Sequence, residues 1–242
     1  KKYLFKIIKT LIIIYIALML YAFFTANLQI FQPPSPATYK DSDNIIHIPI
    51  NKKVSIAAIY LPNPKAKYTI IYSHGNAEDL GINLPFLKDL RNHGYSVLSY
   101  DYEGYGLSTG KPTEDNTYRD VIATYNYATQ KLHIPPKHII SMGHSLGAAL
   151  AVYLADKKPT AGLILTSPFL SAFRVITKYP ILFWDKYNNL ARIKNIHVPV
   201  LIIHGNKDRI ISFWHGKTLY KNANDPKKFV EIKGAGHNNL GW

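Results

Sequence analysis

From Val54 onward, short runs rich in β-branched and aromatic residues alternate with longer segments of helical pattern, and few architectures accommodate that order. Strands are expected at residues 54–60, 68–73, 95–100, 138–142, 162–166, 199–204 and 228–232. Helices are expected at 84–92, 113–131, 146–155 and near 214–221. Strand–helix alternation predicts an α/β fold, a mostly parallel central sheet covered by helices on both faces. In such sheets ligands bind at the carboxyl ends of the strands.

The chain has 242 residues, enough for one domain with a sizeable core or at most two small ones, and 47% of them are hydrophobic, which excludes disorder. It contains no cysteine. A thiolate nucleophile, a disulfide scaffold and a Cys-ligated zinc site are thereby excluded. The histidines show no metal-ligand spacing and no H-E-x-x-H motif, so neither metal nor cofactor is expected. A net charge of +14 raises the question of nucleic acid, but its distribution argues against that partner. Five lysines and no acid fall in the first forty residues, leaving +9 spread over residues 41–242 in basic runs no longer than two. Charge so scattered reads as a solvated basic surface, compatible with anionic lipid.

Residues 10–31, TLIIIYIALMLYAFFTANLQIF, run for 22 positions without a charge. As a helix rising ~1.5 Å per residue the run measures about 33 Å, enough for a hydrocarbon core of about 30 Å. Its purest part, 11–24, also fits the apolar region of a secretory signal. Signal peptidase needs small residues at −1 and −3, and cleavage after Ala26 would place Phe24 at −3. An uncleaved signal anchor is therefore expected. The lysines precede the span, which predicts a cytoplasmic N-terminus and a body on the opposite side. Pro33, Pro34 and Pro36 end the helix and begin a stiff linker. The expected division is 1–31 as anchor, 32–52 as linker leading into the domain, and 53–242 as the domain. The sequence begins at Lys1 and not at Met, so its true start is expected upstream or removed.

Gly143-His144-Ser145-Leu146-Gly147 falls where an expected strand meets an expected helix. A sharp turn there strains the Ser145 backbone and points its hydroxyl away from the sheet, with glycines on either side to avoid collisions. A serine hydroxyl at neutral pH needs a base, and the base needs an acid to orient it. Asp208 follows the strand at 199–204 and His237 follows the last strand, so all three side chains are expected at one sheet edge in the order Ser, Asp, His. His237 is expected to take the proton from Ser145 and return it to the leaving group, with Asp208 holding the imidazole tautomer. Asp101 precedes the nucleophile and Asp185 lies in an expected lid, so both are rivals to Asp208 and not preferred.

An oxyanion requires two preorganised N–H donors. The Leu146 amide, at a helix N-terminus, is the first candidate. The Asn76 amide in His74-Gly75-Asn76-Ala77, directly after the strand at 68–73, is the second, with Ala77 as a fallback. His74, His144 and His204 read as structural hydrogen-bonding residues. Residues 168–197 lack a clear strand, carry several aromatic side chains and a net charge of +4, and are expected to form a lid. Their rings either line an acyl-chain pocket or pack the lid onto the body.

These residues carry a resemblance. Ser73-His74-Gly75-Asn76-Ala77, Asp101-Tyr102-Glu103-Gly104-Tyr105-Gly106-Leu107-Ser108, Gly110-Lys111-Pro112, the pentapeptide around Ser145 and Gly234-Ala235-Gly236-His237-Asn238 resemble the α/β-hydrolase fold. More narrowly, they resemble the membrane-anchored Bem forty-six-like serine hydrolases, related to α/β-hydrolase-domain proteins that remove palmitate from proteins. The resemblance extends from about Val54 to the C-terminus and implies Ser145 as nucleophile, Asp208 as acid and His237 as base. Two departures stand out. Trp242 follows His237 by five residues, where that group usually continues into a closing helix, so either the chain is trimmed or the His237 loop is less well anchored. Asn239 stands where relatives often carry an acid, and no catalytic role is assigned to it.

The expected activity is thus a membrane-tethered serine hydrolase acting on acyl esters or thioesters. The competing class is an α/β-hydrolase-fold scaffold or binding protein whose catalysis has lapsed. Nucleotide binding at Gly104-Tyr105-Gly106-Leu107-Ser108-Thr109-Gly110 is disfavoured, because the third glycine comes one residue late for G-x-G-x-x-G.

Overall fold

The computed structural model describes residues 1–42 and 44–241. Asp43, within the expected linker, and Trp242, the last residue of the expected domain, lie outside the described residues.

The apolar runs form β1 (Ile45–Pro49), β2 (Ser55–Leu61), β3 (Thr69–Ser73), β4 (Ser96–Tyr100), β5 (Ile139–His144), β6 (Gly162–Thr166), β7 (Val200–Gly205) and β8 (Lys227–Ile232). They pair in the order β1-β2-β4-β3-β5-β6-β7-β8. β1 and β2 are antiparallel and the six strands from β4 to β8 are parallel, so the sheet is mostly parallel as expected. β3 and β4 are buried along their whole length, as continuous apolar strands covered on both faces should be. β1 is the strand without a counterpart among the sequence expectations. Its residues fall in the stretch expected as linker, where the apolar run Ile45-Ile46-His47-Ile48 is cut short by Pro49 and sits on a sheet edge.

α2 (Leu80–Asn92) covers one face, packing on Ile70, Tyr72 and Val97. It starts four residues earlier than its periodicity predicts, because the Asp79 side chain accepts from the Ile82 amide and caps it. Gly81 and Pro85 mask that first turn in the sequence. α3 (Glu114–Gln130) and α4 (Leu146–Lys157) cover the other face. α3 is capped by the Thr113 side chain and carries Glu114 and Asp115 in its first turn, where the helix dipole favours acids. α4 is rich in Ala, and its small side chains let it settle closely onto β3, β5 and β6. α6 (Trp214–Asn222) packs through Leu219 on the same side, beside β7 and β8.

Two elements lie apart from this sandwich. The expected lid, 168–197, contains α5 (Asn189–Arg192) and one-turn helices at Phe173–Val175 and Ile193–Asn195, with no strand among the described residues. α1 (Lys2–Ile30) is long and apolar enough to cross a membrane, and only Met19 and Ala26 of its residues are buried. The chain leaves α1 at Phe31 in extended conformation, ahead of the three prolines. Phe31 then enters the core, edge-on to Tyr187.

Candidate active site

β5 ends at His144 and α4 begins at Leu146, so Ser145 alone makes the turn. Its backbone sits at φ 53° and ψ −115°, outside the ordinary range for a residue with a side chain. Packing enforces that conformation. A Cβ on Gly143 would meet the Gly147 carbonyl oxygen at 2.0 Å, and one on Gly147 would meet the Ser73 carbonyl oxygen at 2.0 Å. Only two glycines let α4 approach β3 and β5 this closely.

The turn aims the Ser145 hydroxyl at the loops that follow β7 and β8. His237 Nε2 lies 2.9 Å from Ser145 Oγ, and His237 Nδ1 lies 2.7 Å from Asp208 Oδ2. Asp208 Oδ1 accepts from the Ile210 and Ile211 amides at 2.9 and 2.8 Å, which fixes the carboxylate plane. Burial favours the neutral acid, but hydrogen bonds from His204 and His237 outweigh it and hold the Asp208 carboxyl well below the usual carboxylate range. An ionised Asp208 facing Nδ1 keeps the proton on that nitrogen and leaves Nε2 free to accept one. The three residues predicted at one sheet edge are therefore together there. His204 Nε2 lies 3.3 Å from the same carboxylate oxygen and 2.9 Å from the Ile211 carbonyl.

Ser145, Leu146 and Asn76 line one cavity of about 280 Å³. Among the described residues neither the Leu146 nor the Asn76 amide has a protein acceptor, so both N–H groups are available to a ligand atom. Ala77, the fallback, has φ 58°, is exposed, and stands outside the lining of that cavity. The Asn76 loop is held from several sides. Asn76 Oδ1 accepts from the Tyr105 hydroxyl at 2.7 Å and from the Gln32 amide at 2.9 Å. The Gly75 amide donates to Glu78 at 2.9 Å. Beneath the loop the His74 ring stacks on Tyr102, and His74 Nε2 lies 3.3 Å from Asp101. Burial opposes a charge on His74, yet the Asp101 partner raises its pKa overall.

Asp101 is thereby accounted for: it also accepts from the Leu80 amide at 2.9 Å and from the Tyr39 hydroxyl, and it supports the loop. Asp185 accepts from the Phe173 amide at 2.9 Å and braces the lid. His144 lies with its ring centre 5.0 Å from that of His237, and burial lowers its pKa.

The walls of the 280 Å³ cavity are mainly apolar: Phe169, Ala172, Phe173, Val175 and Ile176 from the lid, Ile210 and Ile211 from the loop after β7. The third wall escaped sequence reasoning. It is the last turns of α1, through Ala26, Gln29 and Ile30. No pattern in residues 10–31 distinguishes these positions from the rest of an apolar helix. On the other side of His237 a cleft of about 520 Å³ is lined by Glu78, Asp89, His144 and Asn238 among others. Among the described residues no group of three His, Asp or Glu side chains is arranged to hold a metal ion.

The profile of the Hydrolase_4 family, described as "Serine aminopeptidase, S33", matches residues 64–191. The human "Alpha/beta hydrolase domain-containing protein 17B" is 41% identical over 182 residues, covering 74% of this chain and 63% of that protein. "Alpha/beta hydrolase domain-containing protein aho-3" of Caenorhabditis elegans is 37% identical over 182 residues, covering 74% of this chain and 55% of its own length. The chain thus spans less than two thirds of these relatives. Among solved structures, the Pyrococcus furiosus esterase Pf2001 superposes with a TM-score of 0.69 at 20% identity, covering 86% of this chain and 89% of that one. Est1E from Butyrivibrio proteoclasticus, solved with ferulic acid, gives 0.67 at 21% identity, covering 81% and 93%. At that identity the two structures speak for the fold alone.

Proposed function

The chain belongs to the α/β-hydrolase family, and on that premise we propose that it is a membrane-tethered serine hydrolase cleaving carboxylic esters or thioesters of apolar acyl groups. The observation that carries this reading is the line from Asp208 through His237 to Ser145, with hydrogen-bond distances of 2.7 and 2.9 Å, opening on a mainly apolar cavity.

In the proposed reaction the acyl chain occupies the 280 Å³ cavity and its carbonyl carbon lies over Ser145 Oγ. His237 Nε2 removes the hydroxyl proton as Oγ bonds to carbon, and the carbonyl oxygen becomes an oxyanion facing the Leu146 and Asn76 amides. Each such donor is worth about 2.7–4 kcal/mol to the transition state. Collapse breaks the bond to the leaving oxygen or sulfur, which takes the proton from His237 and departs through the 520 Å³ cleft. Water then repeats the sequence on the acyl-enzyme, releasing the carboxylic acid and restoring Ser145. Asp208 steadies the imidazolium in both halves.

α1 supplies the tether in this reading, with the lysines that precede its uncharged run at 10–31 cytoplasmic and the body on the opposite side. The division into an anchor at 1–31, a linker and entry to the domain at 32–52, where β1 already joins the sheet, and a hydrolase domain at 53–242 with a lid at 168–197 belongs to the same proposal. The resemblance to protein depalmitoylases makes thioesters of long acyl groups the first substrates to test.

A fluorophosphonate probe should label the purified full chain at Ser145 and leave Ser145→Ala unlabelled. p-Nitrophenyl butyrate and octanoate should be turned over by the former only. Folded wild-type protein that neither reacts nor turns over would overturn the reading and leave a scaffold.

A further inference from the structure

α1 lies against the hydrolase along one face only. Ile16, Met19, Phe23, Ala26 and Ile30 recur at helical spacing on that face; Met19 and Ala26 are buried there, while Ile16 and Phe23 remain more than half exposed. Its two ends serve different cavities. Ala26 and Ile30 form part of the wall of the cavity that holds Ser145. Ile16, Met19 and Phe23 form part of a second, open-sided cavity of about 580 Å³, flanked by Phe183 and Trp184 of the lid and lined by no charged side chain.

The two cavities meet at one aromatic contact. Phe173 lines the first and Trp184 the second, and their rings touch edge-on with centres 5.0 Å apart. Trp184 also packs edge-on against Phe23 of α1, at 5.7 Å. From Ile16 to Ile30 the helix advances ~21 Å, so the cavities stand in series along it. The lid segment beside the outer cavity, Tyr179-Pro180-Ile181-Leu182-Phe183-Trp184, carries no charge and is bracketed by Lys178 and Asp185. Tyr179, Ile181 and Phe183 are exposed, and the Tyr15 hydroxyl donates to the Ile181 carbonyl at 2.8 Å. This segment therefore rides on the part of α1 whose length and composition suit a hydrocarbon core. On the membrane-tethered reading, exposed apolar side chains at that level would face lipid.

The geometry points to α1 as a specificity-determining wall of an acyl-chain slot. A short acyl group on Ser145 fills the inner cavity against Ala26 and Ile30. A longer one passes the Phe173–Trp184 contact and continues along Phe23 and Met19 in the outer cavity, at the depth of the membrane. This inference rests on the reading of Ser145 as the acyl-accepting nucleophile. It adds that the anchoring helix decides which chains that nucleophile accepts.

The test uses the full chain in detergent micelles and a series of p-nitrophenyl esters from acetate to palmitate. Ala26→Phe fills the inner cavity and should lower the palmitate-to-acetate ratio of kcat/KM at least tenfold. Trp184→Ala opens the passage and should raise the palmitate-to-octanoate ratio at least threefold. Leu18→Phe adds the same ring on the outward face of α1, where Leu18 is exposed, and should leave both ratios unchanged. If Ala26→Phe fails to fold, as judged by its melting transition, Ile30→Ala widens the same wall and should move the preference toward longer chains. Ratios equal to wild type in the folded variants would overturn the inference while leaving the hydrolase reading intact. Absence of fluorophosphonate labelling in wild type would instead remove the hydrolase reading itself.

Discussion

The backbone amide of Gln32 donates to Asn76 Oδ1 at 2.9 Å, tying the residue two positions past α1 to the loop that carries the proposed second oxyanion donor. The same oxygen accepts from the Tyr105 hydroxyl at 2.7 Å. Two donors on one amide oxygen leave the side chain a single orientation, and they fix the direction of the Asn76 N–H as well. The end of the apolar helix and the reacting centre are therefore mechanically one unit.

Asn76→Ala keeps the backbone donor but removes both tethers. Loss of alignment should lower kcat by roughly 10- to 100-fold, less than deletion of a donor, with KM changed by less than about twofold. The lost hydrogen bonds should lower stability by about 1–2 kcal/mol, read as a fall in Tm. A lower Tm with wild-type kcat would assign Asn76 to architecture alone.

Asp208→Asn preserves shape and the acceptor for the Ile210 and Ile211 amides, but presents N–H to His237 Nδ1. The proton then moves to Nε2, the nitrogen that must accept from Ser145. kcat should fall about 10⁴-fold, and fluorophosphonate labelling of Ser145 should slow with it. Labelling at the wild-type rate would show that His237 does not depend on Asp208.

Asp120 bears on pH. It lies in α3 beneath Glu103, accepts from the Glu103 amide at 2.8 Å, and is pushed up to about 8, chiefly by burial and further by the Glu103 charge, against the hydrogen bond that lowers it. A carboxyl raised above its unfolded value near 3.8 favours folding while it is protonated. That contribution is complete below the unfolded pKa and is lost as pH rises through the folded pKa. Asp120→Asn cannot ionise, so its Tm should lie nearest to wild type at about pH 4, gain on it progressively as pH rises above the unfolded pKa, and exceed it by several °C near pH 9. A constant difference across that range would mean that Asp120 titrates normally.

Gly147→Ala tests the close approach of α4. Its methyl group would meet backbone oxygen of Ser73 at 2.0 Å and of His74 at 2.5 Å, so the elbow must move. Loss of stability of about 3 kcal/mol or more is expected, with loss of Ser145 labelling. Gly94→Ala is the comparison: it has φ 97° but open space around it, and should cost only about 1 kcal/mol. A cost at Gly147 no larger than that at Gly94 would show that α4 shifts to accept the methyl group and that the close approach is not required.

The order of strands and helices, the serine at a strand-to-helix junction and the single long apolar run were legible in the sequence, because each depends on local pattern. Hydrophobic period separates strand from helix, glycines flank a turn that side chains would block, and an uncharged run of 22 residues has few other uses. Asp208 and His237 could be placed at strand ends by order alone. Their distances to each other and to Ser145 could not, since those depend on how β5, β7 and β8 stagger in the sheet.

Several partnerships lay beyond sequence reasoning because they join residues with no common local pattern. Asp101 meets His74 and Tyr39, Asn76 meets Gln32, and Trp184 meets both Phe173 and Phe23 only after the chain has closed on itself. β1 was hidden by its brevity and by Pro49, and the early start of α2 by Gly81 and Pro85. Local periodicity thus determined the elements and the chemical types at their ends. Which face of α1 meets the lid, and that this face walls the cavity beside Ser145, was decided by tertiary packing, because an apolar helix presents much the same composition all round and only its neighbours give it sides.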